Sequence, residues 1–197
     1  MNTTEGSCQN LDDKSEEFAS CLEKVLEKFE EIGIEKYFKL RDDAFYKSFV
    51  KVKGNFTDTF SVMNGCIDKL KIAVKELDNV CTKFTKSISE KGLFSVSNIY
   101  LKKISKDAKA FYRDLDRLET RVESRDTCQK NFDKFSKSSE NLKCDLISSV
   151  NSEIKTLRRP PKIQNVKVKN LMCRIASQIN SFYNIYDDRY KDLCFKE

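Results

Sequence analysis

From Phe60 to Phe84 the chain places Phe60, Met63, Ile67, Leu70, Val74, Leu77, Cys81 and Phe84 at alternating steps of three and four residues. That spacing puts them on one face of an α-helix and is incompatible with the period of two of a half-buried strand. The same rhythm recurs at Phe18, Leu22, Val25, Phe29 and Ile32, and again from Ile104 through Phe111 to Val122. It continues from Cys128 through Phe135 and Leu146 to Leu157, and from Met172 through Ile179 to Leu193. A shorter piece carries Phe38, Phe45, Phe49 and Val52. Two prolines and five glycines in 197 residues are too few for a sandwich that turns every ~8–12 residues. The breaks fall near Gly33, Gly54, Gly92 and Pro160–Pro161, with Thr57 or Asp58 and Ser124 or Asp126 as candidate caps. Short links between long helices imply antiparallel neighbours. An intermolecular coiled coil is the alternative reading of the same heptad-like spacing.

Eight cysteines, Cys8, Cys21, Cys66, Cys81, Cys128, Cys144, Cys173 and Cys194, stand isolated, with no CxxC and no histidine. Zinc sites of the Cys2His2 and Cys3His kinds have no ligand set here. The expectation is four disulfides and an oxidising, extracellular destination; eight buried thiols are the competing reading. Two cysteines ~22 Å apart on one helix cannot bond each other, because a disulfide needs Cα atoms within about 7 Å. The spacings 66/81 and 128/144 are nearly equal. They suggest two rungs between parallel third and fifth segments, Cys66–Cys128 and Cys81–Cys144. Cys8 and Cys21 would then pair with Cys173 and Cys194. The sequons Asn2-Thr3-Thr4 and Asn55-Phe56-Thr57 mark Asn2 and Asn55 as glycosylation candidates. MNTTEGSCQN has no apolar core of a signal peptide, so the expectation is a mature form carrying a start Met. No apolar run reaches the ~18 residues of a membrane span.

Without histidine, Ser-His-Asp and Cys-His machinery is excluded. No GxGxxG, Walker loop or HExxH is present. The acidic pairs Asp12-Asp13, Asp42-Asp43 and Asp187-Asp188 read as solvated surface, and neither catalytic residues, a cofactor nor a metal is expected. Charge is more informative. The net charge is +6, and no acidic residue lies between Glu153 and Asp187. That window holds Lys155, Arg158, Arg159, Lys162, Lys167, Lys169 and Arg174. It reads as a docking patch for an anionic partner: a glycosaminoglycan, a membrane headgroup, an acidic protein or, least fitting for a secreted chain, nucleic acid. The 14 phenylalanines at helical spacing read first as core. The alternative is an apolar cavity carrying a lipid or other small hydrophobe.

The segment CRIASQINSFYNIYDDRYKDLC, with Cys173, Tyr190 and Cys194, resembles a Cys-Tyr-Cys unit of the bicycle family of secreted aphid salivary effectors. The helical, cysteine-bearing chain is also similar to the tsetse EP-like family of insect secreted proteins. The first resemblance implies delivery into a host to act on an unidentified macromolecule. The expectation is therefore all-α: a disulfide-stapled antiparallel bundle of five or six helices forming one domain over residues 1–197. Residues 1–10 would be a flexible N-terminus and residues 158–166 a Pro-containing basic turn. The functional expectation is a secreted, non-enzymatic interaction protein, monomer or dimer, with the hydrophobic-ligand carrier as alternative.

Overall fold

The computed structural model describes residues 3–32, 56–87, 98–119, 125–154 and 163–195, with side chains over 16–32, 66–86, 99–118, 129–149 and 166–184. Five helices result: α1 (Thr3–Glu31), α2 (Phe56–Ser87), α3 (Asn98–Glu119), α4 (Arg125–Ile154) and α5 (Ile163–Phe195). The short piece from Phe38 to Val52 lies outside the described residues, as do Asn2, Asn55 and the breaks at Gly33, Gly54, Gly92 and Pro160–Pro161. Helix α2 begins at Phe56, so Thr57 and Asp58 sit in its first turn rather than ahead of it. Helix α1 closes with a tightened turn in which the Ile32 amide donates to the Phe29 carbonyl at 3.3 Å.

The helices close into a ring, each packed on two neighbours in the order α1, α2, α3, α4, α5 and back to α1. Side-chain pairs give the directions. Glu17 meets Lys83 while Lys28 meets Glu76, so α1 and α2 are antiparallel. Ser105 meets Asp78 and Asp116 meets Lys71, which sets α2 against α3. Ser136 meets Tyr183 and Lys143 meets Asn180, which sets α4 against α5. Glu23 pairs with Lys167 and Glu30 with Arg174, seven residues on in both helices, so α1 and α5 run parallel.

Described members of the predicted stripes form the core. Phe18, Leu22, Phe29, Ile67, Leu77, Cys81, Phe84, Phe111, Phe135 and Ile179 are all buried. Phe18 packs edge-on against Phe84 at 4.9 Å. Across the ring, Phe135 stacks on Phe111 and Tyr183 at 5.7 Å each and meets Phe182 edge-on at 6.2 Å. These contacts join α3, α4 and α5 through one ring. Among the described phenylalanines, Phe18 packs on Phe84, and Phe111, Phe132 and Phe182 pack on Phe135.

The expectation of disulfides is corrected for the described cysteines, none of which is joined to another. Cys21, Cys81, Cys144 and Cys173 are free thiols. The Cys81–Cys144 rung fails because α3 stands between α2 and α4, whereas the Cys66–Cys128 rung rests on a side chain outside the described ones. The heights of Cys81 and Cys144 do match. Thr82 contacts Ser105 of α3, and the charge of Lys103 acts on Asp145, so Cys81 and Cys144 are level. Their faces do not match, since Cys81 points into the core and Cys144 is exposed. The α1–α5 ties fail on height. Cys21 is two residues before Glu23, hence level with residue 165, eight short of Cys173 and ~12 Å away along the axis. The side chains of Cys8, Cys128 and Cys194 lie outside the described ones.

Truncating Phe135 removes the shared partner of three helices, so Phe135→Ala is expected to cost about 3–5 kcal/mol. Ile72→Ala removes an exposed side chain and should stay within about 0.5 kcal/mol. Urea unfolding followed by circular dichroism checks both; equal losses would refute the packing assigned to Phe135.

Candidate functional site: a basic groove along α3

The basic window read from the sequence is divided by the fold. Lys155, Arg158, Arg159 and Lys162 lie outside the described residues. Lys167 and Arg174 are exposed but spent in the α1–α5 seam, at 2.7 Å from Glu23 and 2.6 Å from Glu30. Lys169 is half-buried. Of the window's described cations, Lys167 and Arg174 therefore belong to a helix contact. They face α1, whose 29 residues hold nine carboxylates against three lysines.

A row of exposed cations lies on α3, which packs on α2 and α4. Lys102, Lys106, Lys109, Arg113 and Arg117 recur at steps of four, three, four and four along its exposed side. That row spans ~22 Å. Two grooves flank it. One, of about 460 Å³, runs between α2 and α3, with Lys86, Lys102, Lys106, Lys109 and Arg113 around Thr82, Thr85 and Ser105. The other, of about 350 Å³, runs between α3 and α4, with Arg113, Arg117, Lys134 and Lys137 around Asp114, Ser138 and Asn141. Both share Ala110 and Arg113, so a saddle with a methyl-sized side chain joins them. Among the described residues, Lys86, Lys102, Lys106, Arg113, Lys134 and Lys137 meet no carboxylate. Lys109 stands 4.0 Å from Asp78, and Arg117 is 3.8 Å from Asp114.

The floor of the larger groove is a polar cluster set into the core. Asp78 and Ser105 are buried, at 4% and 7% exposure. The Ser105 hydroxyl donates to Asp78 Oδ1. Thr82 Oγ1 lies 3.2 Å from the same oxygen and 3.1 Å from Ser105 Oγ. Thr85 Oγ1 donates to the Cys81 carbonyl at 2.6 Å. Burial, then the neighbouring Asp78 charge, pushes the Cys81 thiol far above the ordinary thiol range, so it is inert as a nucleophile. Cys144 is exposed, and its thiol is raised by partial desolvation, by its 3.3 Å hydrogen bond to Glu140 Oε1 and by that carboxylate's charge. Among the described residues no cluster of cysteine, aspartate and glutamate is arranged to hold a metal ion.

This site escaped sequence reading because its cations are interleaved with Asp107, Asp114 and Asp116. A running charge count averages them away. The usable signal was the angular one: plotted at 100° per residue, the basic row separates from Asp107, while Asp114 and Asp116 are engaged by Arg117 at 3.8 Å and Lys71 at 2.8 Å. Comparison with protein-family models, with curated proteins and with solved structures found no match.

Two outcomes follow from the local chemistry. Ser105→Ala strips the buried Asp78 of a hydroxyl donor and should cost about 1–3 kcal/mol, read by urea unfolding. Alkylation of the native protein should reach Cys144 before Cys81. Because the Cys144 pKa is raised, its rate should climb at higher pH than for an unperturbed thiol. Glu140→Gln should move that profile to lower pH. An unchanged profile would refute the role given to Glu140.

Proposed function

We propose that this is a secreted, non-enzymatic interaction protein that binds an anionic macromolecule through the α3 groove. The observation that carries the reading is the convergence on two adjoining grooves of six cations that, among the described residues, meet no carboxylate, whereas Lys28, Lys71, Lys83, Lys167 and Arg174 are paired across helix contacts. Unpaired like charges held together on rigid helices repel one another, so an incoming polyanion relieves a cost already present. The fold needs no such arrangement for its core. The extracellular setting is supported by the two sequons and by the segment Cys173–Cys194 that resembles salivary effectors; delivery into a host is part of the same proposal. The carrier reading is not adopted, since the aromatic rows that motivated it pack against each other.

The test is charge reversal, with fluorescent heparin, poly(uridylate) RNA and poly(glutamate) as anionic probes. The triple variant Lys102→Glu, Lys106→Glu, Arg113→Glu should abolish binding to whichever probe the wild type takes. Wild-type affinity should fall steeply with salt, as surface electrostatics screened over ~8–10 Å require. Reversal at Lys155, Arg158 and Arg159 should leave most of the affinity. The opposite ranking would return the contact to the Pro160–Pro161 turn and refute the groove.

A further inference from the structure

Resting on that reading, we infer that the groove takes a linear sulfated polysaccharide, seated with sugar hydroxyls on the Thr82–Thr85–Ser105 floor and sulfates on the flanking cations. The floor decides the chemistry. Its hydroxyl protons are already committed: Ser105 to Asp78, Thr85 to the Cys81 carbonyl, and Thr82 to Asp78 or Ser105. In the second groove Ser138 likewise donates to the Phe135 carbonyl, at 3.2 Å. What these oxygens still offer is lone pairs. A hydroxyl whose proton is spent accepts and does not donate. Such a floor repels a bare oxyanion and accepts hydrogen bonds from O–H groups.

The rim has the opposite preference. Lys86, Lys102, Lys106 and Arg113 offer only donors and positive charge. A ligand that satisfies both must carry hydroxyl donors and anionic groups on the same small unit. The larger groove, at about 460 Å³, is within the ~300–1,000 Å³ range of small-ligand sites and far too small for a helix or a duplex. Continuity through Ala110 into the second groove, along the ~22 Å row, favours a chain over a single headgroup.

The competing polyanions lack a counterpart on this surface. No aromatic side chain lines either groove, so bases of single-stranded nucleic acid find no stacking platform. No large apolar side chain lines them either, so an acyl boundary gains nothing from burial. An acidic peptide supplies carboxylates without the hydroxyl donors that the floor accepts.

The test titrates the full-length protein with a heparin octasaccharide and an unsulfated hyaluronan octasaccharide. Poly(uridylate) RNA and vesicles containing phosphatidylserine complete the set, all at one salt concentration. The expected result is heparin octasaccharide binding at least about tenfold tighter than any other probe. Ala110→Phe should abolish that preference without changing charge, by blocking the saddle. Thr85→Val should weaken heparin while leaving RNA unchanged. Circular dichroism of each variant guards against misfolding. If RNA or vesicles bind as tightly as heparin, or if Ala110→Phe retains the preference, the polysaccharide assignment falls and general anion binding stands. If no probe binds, both fall together.

Discussion

An odd number of helices closed into a ring with antiparallel neighbours must contain one parallel seam, and here it joins α1 to α5. The seam carries Glu23–Lys167 and Glu30–Arg174, repeated one heptad apart. Exposed pairs of this kind contribute little energy, typically 0–1 kcal/mol each. Their value is in orientation: they match the acidic helix α1 to the start of α5, where the chain has no acid to offer. A shift of that seam by one residue would set Lys167 and Arg174 on other faces of α1.

The seam also dictates where charge is left over. Because α1 is consumed by α2 and α5, its carboxylates cannot reach α3. Lys28 and Lys83 are neutralised by Glu76 and Glu17 at the α1–α2 contact. Lys71 is engaged by Asp116 at the α2–α3 contact. The cations beyond that line, from Lys86 and Lys102 round to Lys134 and Lys137, have no acidic helix beside them. The bundle thus separates charge across its ring although its net charge is only +6.

Helix identity was readable because a period of 3.6 is written directly in residue spacing. Phe60 to Phe84 shows this, and its described members from Ile67 to Phe84 are buried. Heights along the bundle were also readable: equal spacing of the cysteines led to the level match of Cys81 and Cys144. What spacing does not encode is neighbour order. Nothing in the chain says that α3 stands between α2 and α4, and that order keeps two level cysteines apart, while their phase on each helix makes Cys81 a core thiol and Cys144 a surface thiol. The basic window failed for a related reason. A run without acids within itself, from Lys155 to Arg174, still finds acids on the helix it packs against. The α3 row failed in the reverse sense, since local acids masked charge that the fold leaves exposed.

The buried carboxylate of Asp78 links the groove to the core. It is 4% exposed, receives the Ser105 proton and lies one turn from Cys81 on the same helix. A carboxylate in that position costs desolvation energy, and replacing it with an apolar residue is often neutral or stabilising for the fold alone. Its effect on the groove is specific. It holds the Ser105 proton inward and competes for the Thr82 proton, which turns the floor into an acceptor surface beneath a cationic rim. Asp78→Asn keeps the shape but supplies an amide that can donate, freeing hydroxyl protons toward the groove. The expected outcome is a floor that tolerates a bare oxyanion, with inorganic sulfate competing more effectively against the octasaccharide than it does in the wild type. Equal competition in both proteins would show that the rim alone governs recognition and that Asp78 belongs only to the packing between α2 and α3.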